Sequence, residues 1–119
     1  MQSDFVIRSL NSQLIRKTFP FANAFGVANL MEWESLALRL NGVPPNPDKS
    51  GVVVAEGPHG MVAGLFAYRV EETGINGPSL VCDPFWVGNM PRQATPLNAL
   101  LAEAERISQR CGTRAISIS

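Results

Sequence analysis

The chain has 119 residues, 45% of them hydrophobic and 17% charged, so folding removes roughly 65% of its surface from water and a buried core needs no metal or disulfide. Ten basic residues balance ten acidic ones, and the arginines (Arg8, Arg16, Arg39, Arg69, Arg92, Arg106, Arg110 and Arg114) are dispersed, which argues against a nucleic-acid partner. Cys82, Cys111 and the lone His59 cannot assemble a tetrahedral metal set, and both cysteines read as small buried hydrophobes.

Met1-Gln2-Ser3-Asp4-Phe5 has no basic segment leading into an apolar run, and no stretch is apolar for long enough to cross a bilayer. A soluble, cytoplasmic single domain over 1–119 is the expectation.

Phe5 to Leu10 is a short β-rich run, and Asn11-Ser12 after it can cap a helix. A helical turn is predicted over Ser12 to Thr18, and a longer helix over Ala28 to Leu40. In the longer helix Leu30, Trp33, Ala37 and Leu40 recur with helical spacing and face a core. Asn41-Gly42 ends it, and the prolines within Val43 to Ser50 force a loop. Gly51 to Glu56 and Met61 to Val70 flank Gly57-Pro58-His59-Gly60, the pattern of an antiparallel hairpin. The near-continuous apolarity of the second run marks a central strand covered on both faces. His59, at the turn tip, reads as solvated rather than catalytic.

Beyond the Glu71 to Pro78 turn, Leu80 to Val87 is a strand interrupted at Pro84, which implies an edge, a bulge or a splay. A long helix follows, with Thr95 suited to the N-cap, Pro96 to the first helical position and Gly112 to the C-terminal stop. Leu97, Leu100, Leu101, Ala104, Ile107 and Cys111 form its expected buried stripe, while Glu103, Glu105, Arg106 and Arg110 face water. Ala115 to Ser119 alternates as a last strand, parallel to the Leu80 strand through a right-handed crossover. The predicted order is β-α-α-β-β-β-α-β, a mixed α/β (α+β) fold with a mostly antiparallel sheet and helices on both faces.

The junction at 86–98, where a strand end feeds a helix, is the place where free backbone N–H groups and the helix dipole favour an anion. Its register and the element order resemble the GCN5-related N-acetyltransferase (GNAT) superfamily, whose fold is the acyl-CoA N-acyltransferase type. On that resemblance Arg92 stands at the family's turn arginine, Thr95 and Leu97 at its two glycine positions, Leu100 and Leu101 at its paired leucines, and Val87 at the strand end. The resemblance implies acetyl-CoA binding by Val87, Gly88, Arg92, Gln93, Ala94, Thr95, Leu97 and Asn98, with acetyl transfer to an amine. Both motif glycines are absent, and Pro96 deletes one amide donor. The alternative is therefore a catalytically inactive member of the fold serving as a binding or dimeric interaction module.

The resemblance identifies no catalytic residue. Asp83 and Glu56, near predicted strand ends, are the candidate general bases, with ordinary surface or turn carboxylates as the competing reading. Tyr68 does not match the family's tyrosine, and Cys82 has no neighbouring histidine to activate it. The family continues past its fifth strand, so a resemblance ending at Ser119 implies an open edge, covered by a second copy in a homodimer. A homodimer built on the Trp33 and Leu30 surface is a further expectation.

Overall fold

The computed structural model describes residues 5–72, 75, 77–88 and 96–119. Five strands, β1 (Val6–Ser9), β2 (Ser50–Glu56), β3 (Val62–Glu71), β4 (Ser79–Val87) and β5 (Ala115–Ile118), form one sheet in the order β1-β2-β3-β4-β5. The first four pair antiparallel and β4 pairs parallel with β5, from Ser79↔Ala115 to Cys82↔Ile118. The predicted element order, the hairpin and the parallel final pair are all present.

Consecutive residues of β2 are buried because both faces of the sheet are covered. On one face Val52, Val54, Leu65 and Ala67 pack with Leu14 and Ala22 of helix α1 (Ser12–Ala24) and with Trp33 and Ala37 of helix α2 (Leu30–Asn41). On the other, Val53, Ala55, Phe66, Leu80 and Cys82 pack with Leu100, Ala104 and Ile107 of helix α3 (Leu97–Cys111). Strand β3 is central, as its apolar run indicates.

Local chemistry sets the helix ends. Asn11 Oδ1 accepts from the Leu14 N–H at 2.9 Å, and Asn29 Oδ1 accepts from the Glu32 N–H at 2.9 Å. The second helix therefore starts at Leu30 rather than Ala28. α1 runs to Ala24, past the predicted Thr18, and carries Pro20 in its interior. Proline removes one helical hydrogen bond there, but the added turn buries Ala22 completely against the sheet. The Thr18 hydroxyl donates back to Leu14 O at 2.7 Å.

Trp33 is fully buried, so it offers no surface to a second copy, contrary to expectation. Its Nε1–H donates to Ile15 O at 3.0 Å and to Thr18 Oγ1 at 2.9 Å. The buried ring contributes a large apolar area to the core, and its N–H is satisfied, as a buried indole requires.

Pro84 leaves β4 continuous and appears as a register shift. Phe66 pairs with Phe85 and Tyr68 with Cys82, so Asp83 and Pro84 together oppose Ala67. His59 sits exposed in a one-turn 3-10 segment with φ of 63°. Among the described residues no helix is long and apolar enough to cross a membrane.

Candidate functional site: the end of strand β4 and the start of helix α3

At the carboxyl end of β4, Val87 pairs with Gly64 of β3, and the Gly88 N–H donates to Ala63 O at 2.7 Å. A Cβ on Gly88 would stand 2.7 Å from Ala63 O and 3.2 Å from Phe21 Cε1. Glycine is required at 88 by the chain's own backbone, which holds the strand end against β3 and α1.

α3 begins beside this strand end. Pro96 is fully buried, and a Cβ on Gly64 would meet Leu100 Cδ1 at 2.8 Å and Pro96 Cγ at 3.6 Å. The missing side chain at Gly64 thus seats the first turn of α3 on the sheet. Glycine inside a strand is the sequence signal for such a close approach. Pro96 takes the cap position of α3 rather than the first helical position, with helical backbone angles (φ −67°, ψ −7°), and its carbonyl accepts from the Leu100 N–H at 2.9 Å. The N–H groups of Leu97, Asn98 and Ala99 precede that first bond and have no partner within the helix. Pro96 supplies none.

Leu97 is 39% exposed and Asn98 is exposed, so Leu97 is not part of the buried stripe that its spacing suggests. Leu100, Ala104 and Ile107 are buried as expected, Ser108 joins them, and Leu101 and Cys111 are only half-buried. An open first turn is what an anion needs. Val87 and Gly88 close β4 and Leu97 and Asn98 open α3, whose first turn rests on Gly64, while Arg92, Gln93, Ala94 and Thr95, including the expected Thr95 cap, lie outside the described residues.

The two candidate bases stand apart. Glu56 closes β2 and is buried, not a surface carboxylate. Its Oε1 pairs with Arg8 Nε and its Oε2 with Lys17 Nζ, both at 2.5 Å. The hydrogen bond from Lys17, joined by that from Arg8 and opposed by burial, holds the Glu56 carboxyl below the usual glutamate range. A carboxylate so engaged is a poor proton acceptor. Asp83 is exposed on β4 and forms no ion pair among the described residues. Cys82 is fully buried, and burial pushes its thiol up to about 11, which leaves it inert as a nucleophile.

Sequence reading missed an aromatic group on the other side of the strand end. Phe25 stacks on Trp86 with ring centroids 5.1 Å apart, Trp86 lies 6.0 Å from Trp33, and Phe21 lies 5.0 Å from Phe25. These rings come from α1, α2, β4 and the loop after α1, and Trp86, which pairs with Leu65, packs with Phe21 and Trp33 against the same core.

A five-stranded sheet whose last pair is parallel, with two helices on one face and a crossover helix on the other, defines the fold of the GNAT acyltransferases. Solved structures of that class superpose on nearly the whole chain. Glucosamine-6-phosphate N-acetyltransferase from Arabidopsis thaliana matches with a TM-score of 0.75 at 16% identity, over 98% of this chain and 82% of that one. A GNAT family acetyltransferase from Staphylococcus aureus matches with a TM-score of 0.74 at 16% identity, over 98% and 87%. The aminoglycoside N-acetyltransferase AAC(6')-Iy, solved in complex with CoA, matches with a TM-score of 0.71 at 19% identity, over 100% and 78%. No family profile matches the sequence, and no curated protein matches it. The likeness is one of fold.

Proposed function

We propose that the protein binds acetyl-CoA at residues 86–98 and transfers the acetyl group to an amine. The observation that carries this reading is the seating of α3's first turn, through Pro96 and Leu100, on Gly64, the residue that pairs with Val87 at the end of β4. Val87, Gly88, Leu97 and Asn98 would line the cofactor, and Arg92, Gln93, Ala94 and Thr95 would complete the turn. The helix terminus favours a phosphate by about 0.3–1 kcal/mol where exposed. An arginine can add a charge-assisted, two-pronged contact. The fold neighbours support the reading, because one of them was solved with CoA.

Bound acetyl-CoA supplies an activated thioester. The chain's part is to hold it and present an unprotonated amine. The new N–C bond forms as the C–S bond breaks, the amine gives up a proton to a base, and the thiolate leaves as CoA thiol. Of the two candidate bases Asp83 is exposed and open to that proton, whereas Glu56 is committed to Arg8 and Lys17.

One observation favours the alternative, a catalytically inactive binding or interaction module. The fully buried Pro96 ring occupies the turn between Thr95 and Leu97 without an N–H to offer. A second copy is proposed to cover β5, whose four residues are all exposed and whose outer edge has no neighbouring strand among the described residues.

Calorimetric titration with CoA and acetyl-CoA, repeated on Arg92→Ala, tests the reading. Binding that weakens in the variant is the expected result. No heat at millimolar ligand removes the cofactor, and unchanged binding in the variant puts the ligand elsewhere. CoA binding without thiol release across a panel of amines supports the inactive module.

A further inference from the structure

We infer that the groove between α2, β3 and β4 binds a small zwitterion, a primary amine that also carries an anionic group; this rests on the amine-acetylation reading and names its acceptor class. The groove is a cavity of about 250 Å³ whose lining includes Arg39, Leu40, Ser50, Ala67, Arg69 and Asp83. Arg39 lies in the last turn of α2, and Asp83 lies at the register shift of β4, opposite Ala67.

Arg39 and Asp83 face the same cavity but do not pair with each other, and among the described residues neither has an ion-pair partner within 4.0 Å. Arg69, the second cation of the lining, is already paired with Glu71 at 2.7 Å. Leu40 and buried Ala67 give the cavity an apolar floor, which strengthens whatever charge interaction takes place above it.

Opposite charges held apart across one cavity select a ligand that bridges them. A plain amine satisfies Asp83 but meets the arginines, and a plain anion satisfies Arg39 but meets Asp83. A molecule with both groups satisfies both ends at once. The volume is below the roughly 300–1,000 Å³ of sites for drug-sized ligands, which fits a compact amino acid or aminoalkyl phosphate.

The test is calorimetry on the full chain with O-phosphoethanolamine and β-alanine, and with ethylamine and inorganic phosphate as the separated halves, each with and without saturating CoA. At low salt at least one zwitterion should bind about tenfold more tightly than either half. Arg39→Gln and Asp83→Asn should each weaken it roughly five- to tenfold, a loss that salt reduces. Arg16→Gln, an exposed change on α1 outside the groove, should leave it unaltered. Equal binding of zwitterions and plain amines, or full binding by both variants, overturns the inference. Heat with CoA but none with either zwitterion sinks the groove and leaves the cofactor reading standing, whereas zwitterion binding without CoA binding does the reverse.

Discussion

Pro96 is seated on Gly64: a Cβ at residue 64 would come within 3.6 Å of Pro96 Cγ, 3.1 Å of Trp86 O and 2.8 Å of Leu100 Cδ1. This one missing side chain fixes the height of α3 above the sheet, and with it the position of the helix terminus relative to β4. Gly64→Ala should destabilise the protein by about 1–3 kcal/mol, as overpacking does. Urea denaturation reads that loss. On the acetyl-CoA reading the same variant should weaken CoA binding even where it remains folded, and retained stability with unchanged affinity would refute the seating.

Glu56 ties β2 to Arg8 on β1 and Lys17 on α1. Its carboxyl titrates below the ordinary value of 4.5 in the folded protein, so the charged form is the one the fold favours. The stabilisation is present above that ordinary value and disappears as pH falls through the lower folded-state value. Glu56→Gln should cost about 1–2 kcal/mol at pH 7. The gap between variant and parent should close on acidification, as urea midpoints at neutral and acid pH will show. A gap that stays constant with pH would mean that charge is not the source of the effect.

Trp33 joins α2 to α1 by its indole N–H as well as by its bulk. Trp33→Leu should cost about 3–5 kcal/mol, combining a cavity with loss of the donor to Ile15 O. Thr18→Val, which removes only one of the two acceptors, should cost about 1 kcal/mol. Thermal or urea unfolding of both variants gives the comparison, and equal losses would contradict the division between packing and hydrogen bonding.

The two thiols differ in environment. Cys82 is fully buried and pushed up to about 11 by that burial, whereas Cys111 is half-buried beside Pro47 O. Iodoacetamide at pH 8 should give one adduct on the native protein, at Cys111, and two after denaturation. Peptide mapping by mass spectrometry checks this, and native labelling of Cys82 would show that the sheet opens on the side of α3.

Tyr68 carries a hydroxyl that donates to Pro47 O at 2.8 Å and accepts from Arg110 Nη2 at 3.3 Å. Arg110 Nη2 also donates to Pro47 O at 2.9 Å, so the proline-rich loop is pinned to the end of α3 from two sides. Tyr68→Phe should cost about 1 kcal/mol and speed amide exchange at Lys49 and Ser50, whose N–H groups bond Asn46 O. Unchanged exchange there would show that Arg110 alone holds the loop.

Local sequence signals were enough to give the element order, the hairpin at Gly57 to Gly60, the central place of β3 and the parallel closing pair. Each follows from a local signal: β-branched runs, glycine and proline punctuation, helical spacing and the handedness of a strand–helix–strand crossover. Asn11 and the Gly112 stop were likewise visible, because capping is local chemistry. Residues 86–98 were legible as a strand-to-helix junction for the same reason.

Tertiary structure alone decided which side chains that junction brings together. Periodicity put Leu97 in a buried stripe, but the contact of α3 with Gly64 is made by Pro96 and Leu100, which are buried, while Leu97 is exposed. The helical turn predicted over Ser12 to Thr18 extends to Ala24, through Pro20, with Ala22 buried against the sheet. Glu56 looks like an ordinary strand-end carboxylate until β1 and α1 bring Arg8 and Lys17 to it, and Arg39 meets the cavity of Asp83 only across a register shift. Spacing along a chain reports the period of a segment, whereas the partner a side chain meets depends on where segments distant in sequence come to rest, and that is set by packing.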